Sequence, residues 1–320
     1  MPFSAARPLA VYYEHPDWFR PLFMELDRRG VPHARLHADA HVYDPSNGPP
    51  AWGLLFNRMS PSADRRGRGD AIFYTLQYLD YLERAGMRVV NGRDAFLTEI
   101  SKARQLALLR QLGLPFPAAR VIHRAGEAVT ATEGLRFPVV IKPNVGGSGA
   151  GVRKFDAPES LAAAAAAGDI DLGLDRTALV QEYVPHPDGM ITRVEVLGGK
   201  YLYAIHVYAP EDDFNLCPAD ACRTTDGAEL ARAACPVDAP QNGLRVERAT
   251  PPADVIDDVE RIMAAAGIEV GGVEYVIDAR DGKRYYYDIN ALSNFVADAP
   301  RVVGMDPFAR LVDWLVAEAR

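Results

Sequence analysis

The chain has 320 residues, of which 48% are hydrophobic and 24% are charged, and its formal net charge is −8. This length allows two or three compact units. The negative charge argues against a general nucleic-acid or membrane-surface binder, because such proteins attract phosphates with a positive field. Small molecules or polypeptides are the expected partners. The first fifteen residues lack a signal-peptide apolar core and no run of 18 apolar residues occurs, so we expect a cytoplasmic protein.

The first hundred residues alternate between strand and helix patterns, which indicates a small parallel α/β domain. Such a domain binds its ligands at the carboxyl ends of the strands. Gly30 and Gly86 each follow a helical pattern and predict where those helices end. The predicted elements are a strand at Leu9–Tyr13, a helix carrying Trp18, Leu22 and Leu26, a strand at 52–56, a helix at 71–84 and a strand at 87–90.

A change of pattern after this region predicts a domain boundary. Ser101 is a suitable N-cap for a helix that Gly113 and two following prolines would end. Further along, Gly198-Gly199 joins two strand patterns and is a turn favoured in antiparallel hairpins. We therefore expect an α/β domain at 1–98, a central domain at 99–184 and a C-terminal domain at 185–320.

A glycine-rich loop directly follows a buried strand pattern that carries Lys142. Glycine lets the backbone adopt positive φ and approach a ligand closely, and consecutive N–H groups can form an anion-binding concavity, so a polyphosphate fits. The loop matches neither a Walker A motif nor the dinucleotide-binding G-x-G-x-x-G turn. An ordinary surface loop is the alternative. The loop residues are Gly146, Gly147, Ser148, Gly149 and Gly151.

Two strand patterns near the C-terminus carry carboxylates and are joined by a tight turn. Asp288 and Asn290 are two residues apart and therefore face the same side of a strand. A two-residue turn would put Glu274 on the opposite face, whereas a three-residue turn at 280–282 puts it directly across from Asp288. The longer turn is favoured because its last residue needs positive φ, which Gly282 can adopt.

Glu274, Asp288 and Asn290 would then form a compact set of hard oxygen donors. Like charges directly opposite each other destabilise a sheet, so a divalent cation is expected between them. Mg²⁺ is the natural choice, because it takes one or two protein carboxylates and completes its octahedron with phosphate oxygens and water. The alternative is a hairpin whose acids face solvent.

A third strand pattern, at 179–185, carries the polar pair Gln181 and Glu182. Extended backbone beside such a pair could hydrogen-bond the edge of a purine. One of the two side chains would accept a hydrogen bond from the exocyclic amine. An ordinary strand end is the alternative.

Three cysteines, Cys217, Cys222 and Cys235, lie close together in the sequence. Their odd number excludes a complete disulfide framework, and no C-x-x-C pair is present. We expect free thiols, with a zinc site as the alternative.

The order of these features resembles the ATP-grasp superfamily and, within it, the RimK-type or glutathione synthetase-type carboxylate–amine ligases. The resemblance covers nearly everything from Arg58 to Pro307. It implies a mixed α/β and α+β fold, with a pre-ATP-grasp α/β domain, a small lid domain and a C-terminal antiparallel-sheet domain that together hold ATP between two antiparallel sheets. The order is Lys102, Lys142, the glycine loop, Gln181 to Val184, Arg193, Glu274, Asp288 and Asn290.

The resemblance also implies roles for individual residues. Arg193 would stabilise the acylphosphate or its adduct, and Lys142 would act on the transferring phosphoryl group. Glu274, Asp288 and Asn290 would hold Mg²⁺, or Mn²⁺ in its place, with about two ions bound. The residues expected to bind ATP are Lys102, Lys142, Gly146, Gly147, Ser148, Gly149, Gly151, Gln181, Glu182, Tyr183, Val184 and Asp188.

The reaction implied is transfer of the γ-phosphoryl group of ATP to a carboxylate, followed by attack of an amine on the acylphosphate to give an amide. Positioning and charge stabilisation would supply the catalysis, without a protein nucleophile. The expected partners are a small-molecule carboxylate and amine, such as amino acids or peptides, with no nucleic acid and no membrane. The family often forms dimers or tetramers, so a homo-oligomer is a further expectation.

Some positions depart from the family pattern. Ile191 stands where relatives commonly carry an aspartate, and 213–217 lacks their Arg-x-Asn, which leaves Asp188 and Asn215 as substitutes. Two rival interpretations follow, namely a kinase or cyclase on the same scaffold and a nucleotide-binding regulatory protein without turnover. Both lysines and all three oxygen donors are retained, which favours the ligase.

Substrate choice is expected to reside in 208–252, where relatives have substrate-contacting loops. A basic run near the end of the first domain could also receive an anionic substrate, with a solvated loop as the alternative. Its members are Arg58, Arg65, Arg66 and Arg68.

Overall fold

The computed structural model describes residues 3–15, 17–147, 149, 151–186, 189–208 and 245–319. The predictions made for Ser148, Asp188, Asn215 and the three cysteines lie outside the described residues. Within them, no helix combines the length and apolar character needed to cross a bilayer.

The first hundred residues form a four-stranded parallel sheet with helices packed on it. Its order is β2-β1-β3-β4, which confirms the predicted parallel α/β unit. The prediction omitted the edge strand β2, because its sequence His-Ala-Arg-Leu-His is half-exposed and has one large apolar residue. The elements are β1 (Leu9–Tyr13), α1 (Arg20–Arg28), β2 (His33–His37), β3 (Leu54–Arg58), α2 (Gly69–Arg84), β4 (Val89–Val90) and α3 (Arg93–Glu99).

The next residues form a four-stranded antiparallel sheet of order β5-β8-β6-β7. Buried aliphatic side chains, among them Val139, Leu161 and Val180, pack the sheet against a helix rich in alanine. The elements are α4 (Lys102–Gln111), β5 (Ala119–Ile122), β6 (Val139–Pro143), β7 (Arg153–Phe155), α5 (Pro158–Ala166) and β8 (Ala178–Glu182).

The third sheet is antiparallel throughout and has the order β11-β10-β9-β12-β13. One face buries Val194, Val273 and Ile289 against Val259 and Ile262 of a long helix. The opposite face is therefore left for the site. The elements are β9 (Met190–Leu197), β10 (Lys200–Tyr208), β11 (Arg245–Ala249), α6 (Ala253–Ala266), β12 (Val270–Ile277), β13 (Arg284–Asn290), α7 (Ala299–Val303) and α8 (Pro307–Glu318).

The described strands of the three sheets come from residues 9–90, 119–182 and 190–290. The boundaries expected at 98/99 and 184/185 fall between these ranges. The division into three domains stays a prediction, since α3 and α4 pack against both the first and the third sheet regions.

Asn91 joins the first sheet to the third. It has a positive φ of 53°, and its side-chain amide donates to the carbonyl oxygens of Val270 and Ala291, both at 2.6 Å. Its side-chain oxygen Oδ1 accepts from the backbone N–H groups of Glu269 and Val270 at 3.0 and 3.2 Å. One buried side chain thereby aligns the start of β12 with the end of β13.

We expect Gly271→Ala to destabilise the fold by about 1–3 kcal/mol, because overpacking a dense core costs that much. A methyl group on Gly271 would overlap the carbonyl oxygen of Asn290 and lie 3.2 Å from the Cα of Ala291. Urea unfolding measures the change. Gly126→Ala is the control, because a methyl group there would have no neighbour within 4 Å. Equal stability of the two variants would contradict the prediction.

Candidate active site

The candidate site is a cavity of about 860 Å³ between the second and third sheets. Its walls include Lys102, Lys142, Gln181 and Arg193. The volume lies within the range of about 300–1,000 Å³ that is typical of small-molecule sites. Except for Gly146 and Gly151, the predicted phosphate, adenine and metal residues that the structure describes line this one space.

A row of charged side chains crosses the face of the third sheet. Glu274 on β12 pairs directly with Arg193 on β9 and with Asp288 on β13. Glu195 and Asn290 lie in the neighbouring row, on either side of Gly272. The predicted pairing of Glu274 with Asp288 is confirmed.

The turn that produces this pairing differs from the predicted one. Asp278 and Lys283 close the hairpin, with Asp278 N–H donating to the Lys283 carbonyl at 2.8 Å, so the loop has four residues instead of three. A bulge at Tyr287 compensates for the extra residue, since Tyr275 pairs with Tyr286 while Glu274 pairs with Asp288. Gly282 has the predicted positive φ, 71°.

The bulge also turns Tyr287 toward the site. A β-bulge changes the direction of a side chain relative to regular alternation. The Tyr287 hydroxyl donates to Glu274 Oε2 at 2.7 Å. Burial, together with the charge of Glu274, raises the pKa of Tyr287 well above its usual value, so the phenol remains a donor.

Lys102 lies at the start of α4 and forms an ion pair with Asp288, with Nζ 3.0 Å from Oδ1. Ser101 caps the helix as predicted, accepting from Arg104 N–H at 3.2 Å. Burial opposes the charge on Lys102, but Asp288 outweighs it and raises the lysine pKa. Burial likewise opposes the charge on Asp288. The positive charges of Lys102 and, to a smaller extent, Lys142 outweigh burial and lower the pKa of Asp288. Both groups are therefore charged.

Lys142 on β6 points into the same space and is buried. Burial, and then the charge of Lys102, lower its pKa to about 7. Asn144 links the two lysine segments, because its side-chain oxygen accepts from Ala103 N–H at 2.9 Å. A site with two ammonium groups so close together favours a multiply charged anion.

Arg193 is held by three side chains. Its Nε donates to Glu195 Oε1 at 2.7 Å, one terminal nitrogen donates to Glu274 Oε1 at 3.2 Å, and the other donates to Ser293 Oγ at 2.9 Å. Ser293 in turn donates to Glu195 Oε1 at 2.6 Å. Burial raises the pKa of Glu274, and Arg193 opposes this.

Sequence analysis missed Glu195, Ser293 and Glu99, all of which are buried and near the site. Glu195 is two residues from Arg193 on one strand, so alternation could have identified it. Glu99 accepts from Leu292 N–H at 3.2 Å and from Ala291 N–H, and burial raises its pKa to about 7. No local signal identifies Glu99 or Ser293, because their partners are distant in sequence.

The structure changes the argument for a metal ion. The two acids were expected to need a cation because they face each other, but Lys102 neutralises Asp288 and Arg193 neutralises Glu274. The part of the chain that is described contains no cluster of three His, Cys, Asp or Glu side chains suited to a metal. Two carboxylates and the neighbouring Asn290 amide still fit Mg²⁺, which takes few protein oxygens and completes its shell with phosphate and water.

The predicted adenine residues lie at the end of β8. The Glu182 carboxylate is already bound by Arg136, whose N–H and Nε donate to it at 2.9 and 3.0 Å. Gln181 is buried, and its side-chain nitrogen has no partner among the described residues. The Gln181 side-chain amide, at Nε2, therefore remains available to donate a hydrogen bond to a ligand.

An apolar surface lies beside this strand end. Val184, Ile191 and Val276 cluster there with the partly buried rings of Tyr285 and Tyr287. Ile191, the departure from the family pattern, contributes to this surface. A flat apolar surface of this kind suits an aromatic base.

The glycine loop packs over the first domain. A methyl group on Gly147 would lie 3.4 Å from Ser62 Cβ, and one on Gly151 would lie 2.8 Å from Pro143 Cγ. Gly149 and Gly151 both have φ of 71°. Gly147 and Gly149 line the cavity and are partly exposed. The positive φ favours glycine at positions 149 and 151, and close packing adds to this at Gly151.

Three members of the basic run have partners within the chain. Arg66 and Arg68 both bind the buried carboxylate of Glu14, at 2.5 and 3.0 Å. Arg58 is buried and donates to the carbonyl oxygens of Ala291, at 3.3 Å, and Ser293. These arginines therefore support the fold around the site, and the hypothesis that the run receives an anionic substrate stays a prediction.

Comparison with known proteins shows similarity to ATP-grasp ligases. Residues 100–220 match the family described as a RimK-like ATP-grasp domain. A D-alanine--D-alanine ligase of Pseudomonas putida is 25% identical over 234 residues, which are 72% of this chain and 67% of that protein. A ribosomal protein bS6--L-glutamate ligase of Shigella boydii is 30% identical over 148 residues, which are 46% of this chain and 48% of that protein. The match to the glutamate ligase thus spans about half of that protein's length.

Solved structures agree with the fold. The ATP-grasp ligase PsnB, complexed with a minimal precursor, matches with a TM-score of 0.67 at 21% identity, over 98% of this chain and 99% of that chain. A RimK domain ATP-grasp protein from Sphaerobacter thermophilus matches with a TM-score of 0.65 at 19% identity, over 96% and 98% of the two chains. D-cycloserine synthetase DcsG matches with a TM-score of 0.67 at 17% identity, over 98% and 99%. The ATP-grasp fold is confirmed.

We expect binding of Mg²⁺-ADP to take up about one proton at pH 8 and almost none at pH 6. Free Lys142 loses its charge as the pH rises through about 7, and an anionic phosphate beside it raises its pKa again. Affinity should accordingly fall as the pH rises above about 7. Calorimetry in two buffers of different ionisation enthalpy measures the uptake.

Lys142→Met should abolish this proton uptake, whereas Lys283→Met, in the exposed turn of the β12–β13 hairpin, should keep it. Proton uptake that persists in Lys142→Met would contradict the placement of Lys142 beside the phosphates. The absence of uptake by the unmodified protein at pH 8 would contradict it as well.

Proposed function

We propose that the chain is a ligase of the RimK-like ATP-grasp family, an ATP-dependent carboxylate–amine ligase that forms an amide through an acylphosphate. One observation carries the proposal. The row Arg193–Glu274–Asp288 and the two lysines line the same cavity, with Lys102 bound directly to Asp288. Groups for phosphate, cation and developing oxyanion are thus combined in one site.

The proposed reaction has two steps, phosphoryl transfer to the acid and attack by the amine. A carboxylate oxygen of the acid attacks the γ-phosphorus of ATP, the bond to the β–γ bridging oxygen breaks, and ADP leaves. The nitrogen of the amine then attacks the acyl carbon, phosphate leaves, and the amine gives up one proton to solvent. No oxidant, reductant or covalent enzyme intermediate is required.

Lys142 and Lys102 bind the phosphates in this proposal. Their ammonium groups neutralise charge on the transferring phosphoryl group in a partly buried site, where such interactions are stronger than in bulk water. Asn144 holds together the two backbone segments that carry these lysines. Their main contribution is positioning, because phosphoryl transfer depends mostly on alignment and charge stabilisation.

Asp288, Glu274 and Asn290 are the residues that would hold magnesium. When bound there, the ion would neutralise phosphate charge and orient the γ-phosphoryl group. About two ions are expected, as in related phosphoryl-transfer sites. Lys102 is then free to move from Asp288 to a phosphate oxygen.

Arg193 stabilises the negative charge that develops on the acyl oxygen. Glu195, Glu274 and Ser293 hold its guanidinium plane in one orientation. Preorganised donors of this kind contribute more than mobile ones, because they do not reorganise during the reaction. Glu195 and Ser293 are therefore positioning residues.

The substrates are proposed to be an acid and an amine of the amino-acid or peptide class. The names of the similar proteins cover both free amino acids and ribosomal protein or precursor acceptors.

Asp288→Asn should lower ADP release about 100-fold or more, because it removes a carboxylate from the metal set and the partner of Lys102. Release is measured with Mg²⁺-ATP and pooled amino acids, dipeptides and small carboxylic acids, at several Mg²⁺ concentrations. Asp281→Asn, in the exposed hairpin turn, is the control and should be unchanged. Release that needs both an acid and an amine supports the ligase, whereas undiminished release from Asp288→Asn would contradict the site.

Glu195→Gln should lower kcat about tenfold to a hundredfold with little change in ADP affinity, because it loosens Arg193 without touching the lysines. Glu247→Gln on β11 is the control, since that glutamate is exposed. Equal losses in ADP affinity and kcat would indicate a general structural defect and contradict the positioning role.

A further inference from the structure

The cavity continues past Arg193 into a second region that we call the apolar lobe. It is contiguous with the proposed active site, and its walls come from β10, β11, the segment before α1 and the segment after β13. The residues that define the lobe are Trp18, Ile205, Val207, Val246, Phe295 and Phe308.

The register of the third sheet leads from the reacting groups to this lobe. Asp288, Glu274, Arg193 and Ile205 are successive partners across β13, β12, β9 and β10. The same sheet face therefore changes from acidic to basic to aliphatic within four strands. Val207 pairs with Val246 on β11 and extends the aliphatic part.

Aromatic rings enclose the lobe. Phe295 and Phe308 contact each other edge to face, with centroids 5.3 Å apart. Trp18, which is 7% exposed, stacks on His15 with ring centroids 4.2 Å apart. These contacts make the walls rigid and apolar before any ligand arrives.

The charged groups at the rim of the lobe already have partners. Glu25 binds Arg28 at 2.7 Å, Asp306 caps α8 by accepting from Phe308 N–H at 2.9 Å, and Asp298 binds Arg301. Burying a further charge beside apolar walls would cost free energy without compensation. The lobe thus favours an uncharged ligand group.

We propose that the apolar lobe binds the side chain of the acid substrate, and that this side chain is aliphatic or aromatic, of leucine to phenylalanine size. The inference rests on the proposed function. The acid's carboxylate must lie between the γ-phosphoryl group, over Glu274 and Asp288, and Arg193. Its substituent then extends away from the nucleotide, across the sheet face onto Ile205 and Val207.

Burial of such a side chain should raise kcat/KM about tenfold to a hundredfold over alanine. The test uses the full chain with Mg²⁺-ATP and hydroxylamine, which converts an acylphosphate to a hydroxamate whatever the natural amine is. The acids are alanine, leucine, phenylalanine, glutamate and lysine, each free, N-acetylated and at the C-terminus of a dipeptide. Hydroxamate and ADP are both measured.

Two lobe variants and one control complete the experiment. Val246→Lys adds a charge and Phe308→Ala removes a wall, and both positions are partly exposed, so the fold should tolerate them. Each should reduce the preference for leucine and phenylalanine about tenfold or more, while Mg²⁺-ADP affinity stays unchanged. Val121→Lys, on the exposed strand β5, should keep the preference.

The outcomes separate the two proposals. Hydroxamate that forms with leucine or phenylalanine at least tenfold better than with alanine, glutamate or lysine, with the preference lost in Val246→Lys, supports the lobe. Hydroxamate without that preference, or with a preference that both lobe variants retain, overturns the lobe and leaves the ligase. Mg²⁺-ADP binding without hydroxamate or acid-dependent ADP release from any acid overturns the proposed function and the lobe together.

Discussion

The site depends on the register that pairs Glu274 with both Arg193 and Asp288. A shift of one residue in β12 would turn Glu274 to the face that packs on α6, because side chains alternate along a strand. Two local features maintain this register, namely the bulge at Tyr287 and the close approach of Gly271 to the Asn290 carbonyl. The bulge additionally supplies the Tyr287 hydroxyl to Glu274. The register of the sheet therefore determines which charged side chains meet in the site.

Charge compensation is the second constraint. Four acidic side chains, Glu99, Glu195, Glu274 and Asp288, face four basic ones, Lys102, Lys142, Arg58 and Arg193, around the cavity. Buried charges are tolerated only when they are paired and hydrogen-bonded. Lys142 is the member with the weakest compensation, and burial lowers its pKa to about 7. A bound polyphosphate would supply the negative charge that this lysine lacks.

The first sheet contributes structure to a site that it barely lines. Arg58, the last residue of β3, and Asn91, directly after β4, both bind the carbonyl oxygen of Ala291, just past Asn290. Glu99 accepts the N–H groups of Ala291 and Leu292. These contacts fix the path of the chain after β13, which brings Ser293 to Arg193 and Phe295 to the apolar lobe.

Local patterns in the sequence were enough to predict most strands, the Ser101 helix cap and the glycine loop, because alternation, capping and turn preferences are short-range properties. The facing pair Glu274 and Asp288 was also predicted, but from a three-residue turn, whereas a four-residue turn and a bulge produce it. The compensating bulge, the binding of Arg66 and Arg68 to Glu14, and the roles of Glu195, Ser293 and Glu99 required the tertiary structure. Each of these depends on a partner from another strand or another sheet. Sequence by itself determined which chemical groups the protein carries, whereas packing decided which of them are neutralised by one another and which face the cavity.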